Sequence, residues 1–152
     1  MGYSCSNLKK DLILIVAMGT IYMVLEGIWR GWTHISMLVV GGIAAFLVGR
    51  LNEHPKFYNR KMWEQCSIGT GIVLVLEFTS GMILNVWLGL QIWDYSNMTG
   101  NLYGQICLPY AVLWFMLVPF CIYVDDYLRY RIFGEEKPER LLENYKNLFK
   151  GK

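Results

Sequence analysis

The fold is decided by the stretch Cys66-Ser-Ile-Gly-Thr-Gly-Ile-Val-Leu-Val-Leu-Glu-Phe-Thr-Ser-Gly-Met-Ile-Leu-Asn-Val-Trp-Leu-Gly-Leu90, which holds a single charged residue, Glu77. A helix of about 20 apolar residues crosses a hydrocarbon core of roughly 30 Å. Because lipid offers the backbone no hydrogen-bond partners, a segment that spans it must be helical. The stretch therefore predicts a transmembrane helix with an acidic residue near its middle.

The rest of the chain is similarly apolar. Of its 152 residues, 55% are hydrophobic and 15% are aromatic, and the mean hydropathy is +0.32. This hydrophobic fraction is higher than that of ordinary soluble domains. It predicts an all-α integral membrane protein with four transmembrane helices. We expect one membrane domain, residues 1–124, and a cytoplasmic tail, residues 125–152. The predicted transmembrane segments are Leu12–Trp29, Ile35–Leu51, Cys66–Leu90 and Ile106–Val124.

A short internal similarity suggests how the four helices are grouped. Val24-Leu25-Glu26 recurs as Val75-Leu76-Glu77, which indicates two tandem hairpins of the same orientation. Of the 14 Lys and Arg residues, all but Arg30 fall before the first helix, from the end of the second helix to the start of the third, or after the fourth. The positive-inside rule then places both termini in the cytoplasm. Such clustering favours membrane lipids with anionic headgroups as partners and gives no support for nucleic-acid binding.

The tail has the pattern of an amphipathic helix. Pro138 suits the first turn of a helix, and a stripe of apolar residues follows at helical spacing. We expect this helix to lie on the cytoplasmic membrane surface or against a partner. The stripe consists of Leu141, Leu142, Tyr145, Leu148 and Phe149.

Polar residues are expected to gather in the outer half of the membrane domain. Glu77 lies about 16 Å into its helix, and Glu26 precedes Arg30 by one helical turn, in the favourable order for an ion pair. An ionisable residue within a membrane is costly and is by default a functional candidate. The candidate substrate-binding or ion-coupling residues are Glu26, Arg30, His34, Glu77, Asn85, Asp94 and Asn101, with Asp94 placed as a cap.

Two interpretations of these residues remain open. In the first, Glu26 and Arg30 form a satisfied ion pair, and Glu77 is a hydrogen-bonded carboxyl that fixes helix register. In the second, the groups line a cavity that is open to the outside and binds a proton or a small polar or cationic solute. Burial raises the pKa of a carboxyl, and a proton-coupled carrier needs such a group.

The sequence gives no support for catalysis. It contains no GxxxxGK[ST] phosphate loop, no HExxH and no GxSxG motif, and it has only two histidines, His34 and His54. The four cysteines show no CxxC spacing, so neither a zinc site nor a thiol catalyst is indicated. We expect no enzyme activity, no cofactor and no metal.

Several motifs carry a family resemblance. They are Leu76-Glu-Phe-Thr-Ser-Gly81, Trp93-Asp-Tyr-Ser96, Gly104-Gln-Ile-Cys-Leu-Pro109 and, in the first hairpin, Glu26-Gly-Ile-Trp-Arg-Gly-Trp-Thr-His-Ile-Ser-Met37. Over about residues 20–124 the chain resembles the bacterial ABC-transporter type IV membrane proteins, also called CmpB. The resemblance implies a multi-pass protein of the bacterial inner membrane with a transport function.

Three hypotheses about function follow. The first is a transporter or permease-type subunit; since the chain lacks a nucleotide-binding domain, it would form a homo-oligomer or use a separate ATPase subunit. The second is a non-transporting accessory or scaffold protein whose tail docks a partner. The third is a small proton-coupled exporter, which resembles the small multidrug resistance carriers in having four helices and an embedded Glu in the first.

Overall fold

The computed structural model of the protein describes residues 5–57 and 59–151, and in these ranges the regular structure is helical, with no β-strand. Residues 1–4, Tyr58 and Lys152 lie outside the described part. The start of the predicted membrane domain and the last residue of the predicted tail therefore lie outside it as well. The helices are α1 (Cys5–Arg30), α2 (Ser36–Gly49), α3 (Met62–Gly81), α4 (Leu108–Phe133) and α5 (Leu141–Lys150). A 3-10 turn, Arg50–Asn52, extends α2, and a π-helix, Met82–Trp87, extends α3.

Three segments are long and apolar enough to cross a membrane. These are Asn7–Arg30, Met62–Trp87 and Leu108–Phe133, with mean hydropathies of 2.0, 1.7 and 1.7. The remaining apolar helix, Ser36–Asn52, is shorter. The prediction of an all-helical fold is confirmed, and three of the four predicted spanning helices have the length and hydropathy to cross a membrane.

Several predicted helix ends are wrong. Helix α1 begins at Cys5, before Leu12, and α5 begins at Leu141, so Pro138 precedes that helix and does not lie in its first turn. Helix α3 begins at Met62, four residues before the apolar stretch, and α4 continues to Phe133, well beyond Val124. The apolar run marks the part that lipid can surround, whereas a helix continues for as long as its polar side chains find partners. In the last turns of α4, Arg129 donates to Asp125 one turn earlier, which allows the helix to extend.

Helix α2 contacts α1, α3 and α4. Glycines permit its close approach to α1: a Cβ atom at Gly42 would meet the backbone oxygen of Ile15, and one at Gly19 would meet that of Leu38. Small residues of this kind let helix backbones pack closely in lipid. The α1–α2 hairpin is therefore packed backbone to backbone.

Helix α5 folds back onto the bundle. The amide of Asn144 donates to the Pro119 carbonyl at 3.3 Å, and the Tyr145 hydroxyl donates to the Met116 carbonyl at 2.8 Å. Leu148 is buried in a cluster with residues of α2, α3 and α4. Part of the predicted apolar stripe thus docks on the protein itself. Two residues of the stripe stay exposed, Leu142 and Phe149.

Candidate functional site

Glu77 is held by two neutral donors from different parts of the chain. The Tyr95 hydroxyl donates to its Oε1 at 3.0 Å, and the Trp114 indole N–H donates to its Oε2 at 3.0 Å. Glu77 is only 8% exposed, and in the described part of the chain no Lys, Arg or His forms a salt bridge with it. The carboxylate is therefore hydrogen-bonded and has no paired cation, although burial of a charge normally requires one.

Glu26, in contrast, is fully paired. Its Oε1 lies 2.8 Å from Nη1 of Arg30, and its Oε2 accepts a 2.5 Å hydrogen bond from the Thr33 hydroxyl. Arg30 also donates through Nη2 to the Ile92 carbonyl at 2.5 Å. The pair joins the end of α1 to the loop between the π-helix and α4, residues 88–107, which we call the outer loop after the topology predicted from the sequence. These contacts are those of a structural clamp.

The outer loop is fixed to the π-helical end of α3. Asn85 accepts a 2.7 Å hydrogen bond from the Ile92 amide and donates to Oε1 of Gln105 at 2.9 Å. The Trp93 indole donates to the Gln105 carbonyl at 3.0 Å. Gln105 also packs on Gly81, where a Cβ atom would strike its side chain. A π-turn inside a helix is frequently found at functional sites, and here it directs Asn85 at the loop.

The remaining predicted site residues form hydrogen bonds with residues close to them in sequence. Asp94 is exposed; its Oδ1 accepts from the Ser96 amide at 2.8 Å and from the Ser96 hydroxyl at 2.5 Å, and these bonds lower the pKa of Asp94. Asn101 donates to the carbonyls of Ser96 and Met98, both at 3.0 Å. His34 Nδ1 lies 2.8 Å from the Ser36 hydroxyl. None of these described bonds joins Asp94, Asn101 or His34 to Glu26 or Glu77.

A cavity of about 140 Å³ lies inside the bundle, next to Glu77. Residues from α1 to α4 and Trp93 of the outer loop line it, and Glu77 is its one charged lining residue among those described. Of the seven predicted site residues, only Glu77 reaches this cavity. The wall is otherwise apolar and aromatic, so this is not the polar cavity expected from the sequence. A cavity of about 150 Å³ with apolar walls stays dry and accepts benzene.

A second buried polar cluster, which the sequence does not lead us to expect, lies at the opposite end of the bundle. Asp125 is fully buried, and its Oδ2 lies 2.6 Å from Nε of Arg129, whose Nη1 lies 3.6 Å from Glu53. Nearby, Asn52 donates to Asp126 at 2.8 Å. The expectation that polar residues gather only in the outer half is therefore wrong. Asp125 and Arg129 have the same spacing along the chain as Glu26 and Arg30, and this spacing could have indicated their ion pair from the sequence.

The fold and the intramembrane carboxylate define a helical membrane protein. The family model described as "Putative ABC-transporter type IV" matches residues 12–141, and the chain belongs to that family. Its family and its apolar helices together make it a membrane protein of transporter type. No curated protein matches the chain significantly. No solved structure does so either.

Proposed function

We propose that the protein is the membrane subunit of a transporter and that the cavity beside Glu77 binds a small organic cation. The observation that carries this proposal is the position of the Glu77 carboxylate, which has no paired cation among the described residues and lies in the wall of an otherwise apolar cavity. Its two donors, the Tyr95 hydroxyl and the Trp114 indole, orient the carboxylate but bring no positive charge. A bound cation would supply the missing charge.

The cavity lining suits a cation with an apolar surface. The rings of Tyr22 and Trp114 lie with their centroids 6.2 Å apart, and both line the cavity together with Trp93. Aromatic faces attract cations, and cages of such rings are used to bind quaternary ammonium groups. A strongly hydrated solute would lose its water against this wall without replacement bonds. The volume of about 140 Å³ fits a ligand of about the size of benzene.

The exporter hypothesis placed the exchangeable carboxyl in the first helix. In the structure Glu26 is bound by Arg30 and Thr33, which leaves it little freedom to exchange a proton for cargo. Glu77 of α3 has no such partner in the part of the chain that the structure describes and is the better candidate for that role. The proposed cation site therefore rests on α3 and leaves the helix-1 glutamate as a clamp.

We further propose that all four apolar helices span the bacterial inner membrane, with both termini in the cytoplasm. Ser36–Asn52 has 17 residues, a length of about 25 Å, which a slight thinning of the bilayer accommodates. The charge asymmetry supports the orientation. Single cysteines at Lys56 and Asn97, in a background without other cysteines, should label from opposite sides of intact cells. Labelling of both from one side would contradict this topology.

The proposal also concerns partners. The family is named for ABC transporters, whereas the sequence contains no phosphate-binding loop. We therefore expect a separate ATPase subunit, with two or more copies of this chain forming the membrane part, and we expect transport without catalysis by the chain itself. Co-purification of the chain with an ATPase from its native membrane tests this part.

Binding of tetramethylammonium to the purified protein tests the cation site. We expect saturable binding by equilibrium dialysis, weak or no binding of neopentyl alcohol, which has a similar apolar shape and no charge, and loss of tetramethylammonium binding in Glu77→Gln. The matched control is Glu64→Gln on the same helix, because Glu64 lies near the start of α3, at 3.9 Å from Arg60. If Glu77→Gln is folded and binds the cation as the parent does, Glu77 has only a structural role. This outcome would support the hypothesis of a non-transporting scaffold protein.

A further inference from the structure

We infer that the cavity is a groove that opens sideways into the bilayer between α1 and α4, and that its ligand is a single-chain cationic amphiphile that enters from the lipid. This inference rests on the proposed cation site at Glu77 and adds the route of entry and the chemical class of the ligand. Its evidence is the closure of both ends of the cavity and the exposure of two residues that line it.

The outer end of the cavity is closed by the outer loop. Ile92 and Trp93 are almost completely buried, and Trp93 lines the cavity. Tyr95 reaches Glu77 itself, and Arg30 holds the Ile92 carbonyl. A solute from outside water would have to break these hydrogen bonds to reach the carboxylate.

The inner end is closed by direct contact between α2 and α4. A Cβ atom at Gly49 of α2 would strike the side chain of Asp125 of α4, and Asp125 is fully buried. Arg129 covers Asp125 from the next turn of the helix. The cytoplasmic side therefore offers no entry to the cavity in this conformation.

The lateral side is different. Leu25 of α1 and Leu117 of α4 both line the cavity and are 49% and 37% exposed, so these two side chains reach from the cavity wall to the surface of the bundle. Both lie within helices of spanning length, so lipid surrounds that surface. Towards the cytoplasm α1 and α4 come together again, where Lys10 Nζ lies 5.1 Å from the centre of the Phe133 ring. The opening thus lies between two helices that meet below it.

The shape of the groove defines the ligand. Its lining on α4 runs from Trp114 to Val124, a distance of about 15 Å along the helix axis. Trp114 contacts Glu77, so the carboxylate is at the outer end and the remainder of the groove is apolar. An ammonium group fits the carboxylate end. Because a volume of about 140 Å³ holds only this group and the methylenes next to it, the rest of the alkyl chain would extend through the lateral opening into the bilayer. An anionic headgroup would face Glu77 and be repelled.

Fluorescence quenching tests this inference. Four of the six tryptophans are well exposed and can be replaced by Phe, which leaves Trp93 and Trp114 as the only indoles, both in the groove. The four are Trp29, Trp32, Trp63 and Trp87. In lipid nanodiscs we compare decyltrimethylammonium with decanol, each brominated on its chain, at equal concentration in the lipid. We expect half-maximal quenching by the cation at a concentration at least tenfold lower.

Two comparisons decide the outcome. In Glu77→Gln the tenfold preference should disappear, and equal quenching by the two compounds in the parent protein would overturn the inference even if that variant does not fold. Glu77-dependent binding of tetramethylammonium without any preference for the brominated cation would refute lateral entry and leave the cation site standing. A clear preference for the amphiphile without tetramethylammonium binding would support the groove and refute the small-cation proposal.

Discussion

Replacement of Arg30 by Ala should destabilise the protein more than replacement of Glu26 and Arg30 together. In the single variant the Glu26 carboxylate, with a side chain only 7% exposed, loses its positive partner and keeps the Thr33 hydroxyl. Breaking a buried ion pair by removal of one member costs about 3–5 kcal/mol. Because the Arg30 side chain is 23% exposed, the lower end of this range applies, roughly 3 kcal/mol.

The double variant leaves no uncompensated charge, but it does not restore the parent stability. Arg30 also donates to the Ile92 carbonyl, and that acceptor is left without its partner in both variants. An unsatisfied buried acceptor costs about 1–3 kcal/mol. We therefore expect the double variant to lose about 1–2 kcal/mol and to recover a third or more of the single-variant loss.

Thermal unfolding in detergent, followed by tryptophan fluorescence, measures the difference. For a chain of this size about 1 kcal/mol corresponds to roughly 2–4 °C, so the single variant should melt about 6–12 °C lower. The control is the more exposed pair Arg60 and Glu64, at 3.9 Å and with the same spacing along the chain, where Arg60→Ala should cost less than about 1 kcal/mol. A double variant no more stable than Arg30→Ala would show that the two groups are not energetically paired.

Three further outcomes are expected. Gly81→Ala places a Cβ atom against Gln105 and should cost about 1–3 kcal/mol and speed proteolysis of the outer loop; an unchanged cleavage rate would contradict the described anchoring. Tyr145→Phe removes the hydrogen bond to the Met116 carbonyl and should cost about 1 kcal/mol, with faster amide exchange in α5 if α5 docks as described. Asp94→Asn should leave tetramethylammonium binding unchanged, because Asp94 is exposed and bonded within its own turn; a loss of binding would return it to the site.

The correct predictions rest on the length of the apolar segments and on the spacing of residues along a single helix. The stretch around Glu77 had to form a helix, because lipid leaves the backbone no alternative. The ion pair between Glu26 and Arg30 followed from a separation of one helical turn, which fixes two side chains on one face. Both arguments use only the geometry of a single helix, and that geometry is the same wherever the helix packs.

What the sequence could not give depends on contacts between distant segments. The donors to Glu77 lie 18 and 37 residues away, at Tyr95 and Trp114, and nothing local selects them. The apolar character of the cavity depends on which faces of four helices turn towards each other. The docking of α5 depends on two carbonyls of α4, those of Met116 and Pro119, which lie far from α5 in the sequence.

The buried pair of Asp125 and Arg129 also has a separation of one helical turn, so the same spacing argument applies to it. The pair is hard to predict as buried because it follows the apolar run of α4. Hydropathy marks Val124 as the end of the lipid-facing segment and predicts that the polar residues beyond it belong to the tail. The structure shows that they close the bundle instead, with Gly49 of α2 giving Asp125 the space to pack.

The most direct test of the central claim is chemical modification of Glu77 by dicyclohexylcarbodiimide, an apolar reagent that reacts with carboxyl groups inside membranes. The structure predicts that mass spectrometry finds the adduct on Glu77 and not on Glu26, whose two oxygens are held by Arg30 and Thr33. Tetramethylammonium should slow this modification, and neopentyl alcohol should not. Modification of Glu77 at the same rate with and without the cation would contradict a cation site at this carboxylate.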